Sequence, residues 1–274
     1  MKIKIIFLTL LSLVILFMLF LCNNRVDTAL VSIKNNNIKI KKIRTEVLIN
    51  RHIDMYDINY KEIDKKIDRE LQIQVDKVYK TALYLYDKYK DKKNTKDIKS
   101  EILDLLEYIN NTTDGSYVFV DNYNGDIISG EKYQSFTDAD GRSIALEKIQ
   151  MVRKKQYGYI NTKTIDNGKT KRIFVKDLGF YDWFIGSALY KEDKIDELKK
   201  LILNDLCNHS DGELDIIAIY KKDENLCKPT KNNLLTNIKN DGWHTDKSDR
   251  LYYVKTYKPF NWHIIYGFLR VSNF

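Results

Sequence analysis

Phe174-Val175-Lys176-Asp177-Leu178-Gly179-Phe180-Tyr181-Asp182-Trp183 returns 79 residues later as Tyr253-Val254-Lys255-Thr256-Tyr257-Lys258-Pro259-Phe260-Asn261-Trp262. In both copies an aromatic residue, Val and Lys are followed by Asp or Asn six residues after the Lys, and then by Trp. A β-branched and aromatic strand, a turn at Gly179 or Pro259, and an apolar return strand fit each copy. Such an internal repeat predicts two related modules in one chain.

The chain begins with a short basic segment, residues 1–4, and continues with 18 uncharged residues, 5–22. A bilayer-spanning helix needs roughly 20 apolar residues, so we predict a transmembrane anchor at 5–22. A cleavable signal peptide is the alternative. The run is longer than the usual ~7–15 residues of a signal peptide, and no small-x-small cleavage site follows it. The positive-inside rule favours residues 1–4 as a cytoplasmic start.

Residues 23–92 are predicted to form a connector and a long stalk helix. Residues 23–37 are polar and rich in Asn, which indicates a break in the helix. A helix from about residue 53 to 90 would be about 55 Å long. Apolar residues recur along one side of this helix, and the alternative is that they form the seam of a coiled coil. The apolar residues that recur every three or four positions are Ile63, Ile67, Leu71, Val75, Val78, Ala82, Leu85 and Tyr89.

The rest of the chain reads as an α+β arrangement with antiparallel sheets. Residues 93–192 are predicted to contain a short helix, two strands, a second short helix and three antiparallel strands. Residues 193–207 carry the apolar face of a connecting helix. Residues 208–274 then repeat the strand order of the first module in fewer residues, so we predict a second, reduced module there.

With these elements in place, the sequence resembles the Cache family of bacterial extracytoplasmic sensor domains, which have a PAS-like sheet. The resemblance covers most of the chain beyond the anchor and looks like a double Cache arrangement. Two features depart from it: Ser129-Gly130-Glu131 stands where His-Pro often follows the first hairpin, and the second module has no Asn-Gly turn. The supporting residues are Val78–Tyr89, Gly115–Val120 with Asn124-Gly125, Asp138–Gly141, Tyr157–Tyr159, Phe174–Lys176 and Trp183–Gly186.

The resemblance implies a membrane-anchored sensor that binds a small molecule for signal transduction, with a carboxylate or an amino acid favoured. It implies a membrane-distal module at 93–192, a membrane-proximal module at 208–274, and a homodimer through the stalk helix. The protein would be a single-pass protein of the inner (cytoplasmic) membrane with a periplasmic body. Receptors of this kind usually carry a second membrane helix and an output domain. The sequence contains neither, so we expect the sensory part of a receptor.

A ligand pocket is implied in the first module. Strand alternation puts Arg172, Phe174 and Lys176 on one face, and two cations with an aromatic ring suit a small carboxylate. Tyr117, Phe119, Tyr159 and Trp183 are the predicted walls of this pocket. The alternative is structural, because aromatics at alternate strand positions are usually core residues and a strand Lys is usually solvated.

Composition excludes several other classes. The net charge of +8 comes from Lys residues spread along the whole chain, without a block that would track nucleic acid. The four histidines are scattered, and we find no HExxH, GxSxG or phosphate-binding loop. Asp138-x-Asp140-Gly141 lacks the further residues of a calcium loop and is read as a turn. We therefore expect no enzymatic activity, no cofactor and no metal.

Cys207 and Cys227 lie 20 residues apart in the second module. Because neither belongs to a CxxC pair, a zinc site is not indicated. An oxidising compartment would favour a disulfide between them, and two independent buried thiols are the alternative.

Two other functions remain open. A structural envelope protein with a coiled-coil helix would need no ligand. A secreted small-molecule binding protein would result if residues 1–22 were cleaved.

Overall fold

The structure is a computed structural model, and it describes residues 2–112, 117–130, 137–165, 168–208, 216–222, 224–227, 240–245 and 250–269. The Gly115-Ser116 part of the quoted motif and the start of the second module at 208–274 therefore lie largely outside the described residues. The chain divides into two compact units. One comprises residues 57–202, and the other comprises residues 1–56 and 203–274.

Three helices precede the first strand: α1 (Lys2–Lys61), α2 (Ile63–Tyr89) and α3 (Thr95–Thr112). The expected break at residues 23–37 is wrong, because α1 runs through this segment without interruption. The segment contains no Gly or Pro. Asn costs only a few tenths of a kcal/mol (at most ~0.7) in a helix interior, so Asn residues alone do not end a helix.

The unit of residues 57–202 is built on a five-stranded antiparallel sheet with the order β2-β1-β5-β4-β3. Helix α2 covers one face of this sheet, which we call the inner face of the first sheet. Helix α4 (Ile144–Lys155) covers the opposite, outer face. The strands are β1 (Tyr117–Asn122), β2 (Ile127–Ser129), β3 (Tyr157–Lys163), β4 (Thr170–Asp177) and β5 (Trp183–Tyr190).

The other unit has a second five-stranded antiparallel sheet with the corresponding order, β7-β6-β10-β9-β8. The second module, which the sequence predicts to be reduced, therefore has as many strands in its sheet as the first. A disulfide joins Cys207, near the end of α5 (Lys191–Asn208), to Cys227. The strands are β6 (Ile216–Lys221), β7 (Glu224–Asn225), β8 (Gly242–Thr245), β9 (Arg250–Tyr257) and β10 (Trp262–Leu269).

Helix α1 covers one face of the second sheet, its inner face. The hydroxyl of Tyr257 donates to the backbone oxygen of Tyr56 at 3.0 Å. The hydroxyl oxygen of Tyr266 lies 2.5 Å from Nδ1 of His52. The indole N–H of Trp243 donates to the Glu46 carboxylate. Aromatic side chains with polar tips therefore attach this sheet to α1.

The repeated Asp-Trp or Asn-Trp has a structural reason. Asp182 and Asn261 both adopt a left-handed backbone, with φ of 52° and 53°. Asp and Asn tolerate this conformation better than other non-glycine residues. The Trp that follows begins the next strand and is buried in each sheet. The repeat thus encodes a turn and the first core residue of the return strand.

Candidate functional site

Arg172 lies on the inner face of the first sheet and forms a two-pronged ion pair with Asp68 of α2. Its Nε is 2.7 Å from Oδ1, and its Nη2 is 2.9 Å from Oδ2. A third nitrogen, Nη1, donates to Asn161 at 2.9 Å. A carboxylate of the protein thus occupies the guanidinium fork that was predicted to hold a ligand.

Lys176 lies four residues further along the same face and is also paired with α2. Its Nζ is 2.6 Å from Asp76 and 4.2 Å from the ring centroid of Tyr79. Phe174, between the two cations, is buried in the core that α2 covers. The strand alternation that placed these three residues together is therefore present, and the face they share packs against a helix.

Two more residues that were predicted to line the pocket, Tyr159 and Trp183, lie on this inner face. Tyr159 packs against Phe174, with ring centroids 4.7 Å apart, and its hydroxyl donates to the backbone oxygen of Asp68 at 3.0 Å. Trp183 is buried in the same core, and the ammonium of Lys99 stands 4.9 Å from its ring.

Tyr117 and Phe119 belong to the opposite, outer face. The Phe119 ring fills the space above Gly186, since a Cβ atom there would come within 2.3 Å of its Cζ. The ring of Tyr117 lies 6.2 Å from that of Phe119. The sheet therefore separates these two residues from the other five predicted ligand residues.

The outer face contains a buried ion pair that the sequence analysis missed. Lys148 of α4 and Asp121 of β1 are each 2% exposed and hydrogen-bonded to one another. The ammonium also stands 4.6 Å from the ring centroid of Phe119. Burial raises the pKa of the Asp121 carboxyl, although Lys148 acts in the opposite direction. Oδ1 of Asp121 has no hydrogen-bond partner within the described ranges.

A second buried cation, Lys171, lies toward the other end of the outer face. It is 6% exposed, and its ammonium stands 4.9 Å from the ring of Tyr117 and 5.3 Å from that of Tyr190. Thr162 is its cross-strand neighbour on β3 and is 1% exposed. The Thr162 hydroxyl has no hydrogen-bond partner in the part of the chain that the structure describes.

Two sequence signals could have identified these residues. Lys171 alternates with Ile173 and Val175, so it belongs on the face opposite Arg172. Lys148 lies four residues after Ile144 and four before Val152, in the apolar stripe of α4. A lysine within an apolar stripe is unusual, because a buried ammonium needs a partner.

Asp138 forms the turn that leads into α4. Its Oδ1 accepts from the backbone N–H of Asp140 and of Arg142, at 3.0 and 2.9 Å. Ser143 then caps the helix by accepting from the N–H of Leu146. Within the described ranges, no group of three or more His, Cys, Asp and Glu side chains is placed to hold a metal ion.

An open groove of about 460 Å³ runs between α4 and the edge strand β3. Three cations, Arg142, Lys154 and Lys155, and a single acid, Glu147, are among its lining residues. The groove borders the outer face through Met151 and Ile160, which also belong to the packing there.

Comparisons with known proteins agree with this architecture. The family model described as Cache domain matches residues 22–270. No curated protein matches the chain.

The solved structures that match the chain are remote in sequence. The ligand-binding domain of the Campylobacter jejuni chemoreceptor Tlp3, in complex with 4-methylisoleucine, has a TM-score of 0.38 and 11% identity, covering 82% of this chain and 91% of that one. A Cache chemosensory domain described for carboxylic acid recognition has a TM-score of 0.39 and 16% identity, covering 49% and 97%. The ligand-binding domain of Pseudomonas aeruginosa PAO1 PctB with L-Gln has a TM-score of 0.31 and 11% identity, covering 78% and 88%.

Proposed function

The chain belongs to the Cache domain family, and from this premise we propose that it is the sensory part of a membrane receptor whose first module binds a small carboxylate. The role is sensory and not catalytic. The ligand lies on the outer face of the first sheet, beneath α4. The first module is membrane-distal, and the second, residues 208–274, is membrane-proximal.

One observation carries this proposal: the buried ammonium of Lys171 lies close to the rings of Tyr117 and Tyr190 and beside Thr162, whose hydroxyl has no hydrogen-bond partner among the described residues. A ligand carboxylate at this place would accept a charge-assisted hydrogen bond from the ammonium.

The surroundings of Lys171 suit such a ligand. The Tyr117 and Tyr190 rings flank the ammonium and can cover the apolar part of a small acid. The hydroxyl of Thr162, which has no hydrogen-bond partner among the described residues, can donate to a carboxylate oxygen. Apolar walls with a few convergent polar groups are typical of small-molecule sites.

We propose a structural role for Arg172, Phe174, Lys176, Tyr159 and Trp183. Each of these side chains lies against α2 or in the core that α2 covers. Tyr117 and Phe119 remain in the proposed pocket, as the sequence analysis expected.

A small amino acid is the second candidate ligand. Asp121 pairs with Phe184 and Lys171 with Tyr190, six residues or roughly 20 Å apart along β5, so the amino group of such a ligand would be held by the rings of Tyr117 and Tyr190 and not by Asp121. The two candidates differ only in whether an amino group raises or lowers the affinity.

Residues 5–22 are proposed as the membrane anchor. From Ser12 on, α1 is long and apolar enough to cross a membrane, and its apolar side chains from Leu13 to Leu21 are exposed. The Cys207–Cys227 disulfide suits a body in the periplasm, where disulfides persist. We therefore propose a single-pass protein of the inner membrane.

The stalk helix is proposed to pair with a second copy of the chain. Val26, Ile33, Ile40 and Val47 recur every seven residues along α1, and all four are exposed. β-Branched residues at such heptad positions favour two-stranded parallel coiled coils. A cross-linking measurement on membranes would test this pairing.

The ligand proposal is tested on the full chain in detergent, by thermal shift with acetate, propionate, lactate, alanine and serine. We expect simple acids to raise the melting temperature and the Lys171→Met variant to lose that shift. Arg172→Met is the matched control, because it removes a cation from the inner face of the same strand and should keep the shift.

Two results would count against the proposal: no acid shifts the parent chain, or Arg172→Met loses the shift while Lys171→Met keeps it. A response to alanine and serine that exceeds the response to propionate and lactate would select the amino-acid alternative.

A further inference from the structure

Strand β3 forms one edge of the first sheet, so the backbone groups of its residues point either to β4 or away from the sheet. The backbone oxygen of Gln156 accepts from the N–H of Asp177, and the backbone N–H of Thr164 donates to the oxygen of Lys169. Hydrogen-bonded pairs alternate along an antiparallel ladder, and β3 pairs with β4 in one continuous register. Residues 158, 160 and 162 therefore bond to β4, whereas the backbone groups of residues 157, 159 and 161 point outward.

The outward groups form a row of donors and acceptors along this edge. Tyr157, Tyr159 and Asn161 each present one N–H and one C=O, and no described residue hydrogen-bonds to these backbone groups. At the end of the strand the edge is covered, since the backbone oxygen of Lys163 accepts from the N–H of Ala139. The row from residue 157 to residue 161 is about 13 Å long, which is enough to pair with a short extended segment of another chain.

The opposite edge of the same sheet has features that prevent such pairing. Strand β2 has three residues, and its pairing with β1 contains a register shift. Short edge strands and bulges are means by which proteins avoid unwanted contacts at sheet edges. Strand β3 has seven residues, contains no Pro, and carries its one charged residue, Lys163, at its end. The edge at β3 is therefore suited to accept a further strand.

The groove between α4 and β3 lies beside this edge. Tyr159 and Asn161 line it from the strand, and Gln150 and Met151 line it from the helix. Gly158 lets the helix approach closely, because a Cβ atom there would come within 2.3 Å of the Met151 sulfur. An extended segment in the groove would have the backbone of β3 on one side and Met151 on the other, and a flexible Met side chain adapts to different partners.

The charges along the groove favour an acidic segment. At one end, Nη1 of Arg142 lies 3.3 Å from Oε1 of Glu147, so these two side chains offset one another. Lys154 and Lys155 line the other end, and both are exposed. Neither forms an ion pair with a residue that the structure describes. Complementary charge guides association and selects between partners.

We propose that the edge of β3 and the adjoining groove bind an extended acidic segment of a partner protein, which adds a sixth strand to the first sheet. Main-chain hydrogen bonds to Tyr157, Tyr159 and Asn161 supply affinity, as in other cases of strand addition. Lys154 and Lys155 select carboxylate side chains. This surface does not depend on the carboxylate site proposed for the outer face, and either can be absent without the other.

The charge selection is tested by fluorescence anisotropy on the full chain in detergent. The probes are a labelled nine-residue peptide of alternating Glu and Val and its counterpart of alternating Lys and Val. We expect the Glu peptide to bind more tightly, and the double change Lys154→Glu and Lys155→Glu to weaken it about tenfold. The matched control is Lys92→Glu with Lys96→Glu, which makes the same charge change at exposed positions elsewhere and should leave binding unchanged.

The addition of a strand is tested at Asn161. Asn161→Pro removes an outward N–H that β4 does not use, and Pro is tolerated in an edge strand where the N–H faces outward. This change should weaken binding of the Glu peptide about fivefold to tenfold. Asn161→Ala removes the same side chain but keeps the N–H, and it should bind the peptide as the parent does. Melting temperatures establish that each variant is folded.

The proposal is overturned if the Glu peptide does not bind the parent chain, or if it binds no better than the Lys peptide. It is also overturned if the double Lys variant or folded Asn161→Pro protein binds the Glu peptide as well as the parent does. Self-association of the parent chain that Asn161→Pro abolishes, without peptide binding, would identify a second copy as the occupant and exclude the acidic partner.

Discussion

The two sheets of this protein share their strand order and a buried Trp at the start of the last strand, yet they attach to their helices by different chemistry. The first sheet is attached to α2 by charges, through Arg172 and Lys176. The second is attached to α1 by aromatic side chains with polar tips, such as Tyr257. Where the first sheet has Arg172, the second has Leu251. The same backbone therefore supports two unrelated sets of side-chain contacts.

The outer faces differ in the same way. That of the first sheet contains a buried ion pair and a second buried ammonium group. That of the second has a histidine, a tyrosine and a threonine in one row. The difference teaches that the chemistry of each outer face depends on which side chains alternate outward, whereas the repeated motif specifies the turns and the core.

The largest effect is expected from breaking the buried pair of the first sheet. Lys148→Met leaves the Asp121 carboxylate buried without its partner and should destabilise the protein by about 3–5 kcal/mol in urea unfolding. Lys255→Met is the matched change in the second sheet, where the ammonium is 3.9 Å from Asp241 and partly exposed. It should cost less than about 1 kcal/mol. Equal losses of stability in the two variants would contradict this difference between the two sheets.

The disulfide provides the next test, because it lies only in the second unit. Replacing both Cys207 and Cys227 by Ser opens a loop of 20 residues and should cost about 3 kcal/mol. Hydrogen exchange should increase in β6 and β9, while β4 and β5 keep their protection. Uniform loss of protection in both sheets would show that the two units unfold together.

A smaller effect is expected at the inner face of the first sheet. Arg172→Met removes a partly exposed ion pair and should lower stability by about 1 kcal/mol, measured by urea unfolding. Leu251→Met, at the corresponding position of the second sheet, replaces one apolar side chain by another of similar size and should cost less than about 1.5 kcal/mol. An Arg172→Met loss several times larger would indicate that the pair with Asp68 is effectively buried.

The smallest effect concerns alkaline pH. Burial, reinforced by Asp177, raises the pKa of Tyr123 in the first unit to about 12. The folded state thus binds this proton more tightly than the unfolded chain, whose tyrosines titrate near pH ~10. The contribution of Tyr123 to stability is complete below pH ~10 and is lost as the pH rises through 12. Tyr123→Phe should therefore flatten the fall in melting temperature over this range, and an unchanged slope would contradict the assignment.

Much of the fold was accessible from sequence because its signals are local. The apolar stripe from Ile63 to Ala82, the turn glycines and the alternation in β4 all act within a few residues. Which face of β4 packs against α2 is decided by contacts about 100 residues apart in sequence, between Arg172 and Asp68 and between Lys176 and Asp76. No local pattern separates a cation that binds a ligand from one that pairs with a carboxylate of the protein.

The two ion pairs between α2 and β4 have a mechanical consequence. Asp68 and Asp76 are eight residues apart on a helix, or about 12 Å. Arg172 and Lys176 are four residues apart in a strand, or about 13 Å. The spacing of the two carboxylates along the helix therefore matches the spacing of the two cations along the strand, and both ion pairs form in the same register. A slide of one helical turn, about 5.4 Å, would break both pairs together. Helix α2 should therefore move as one body with the sheet, so that a force on the outer face of the first sheet is transmitted along the helix without slipping.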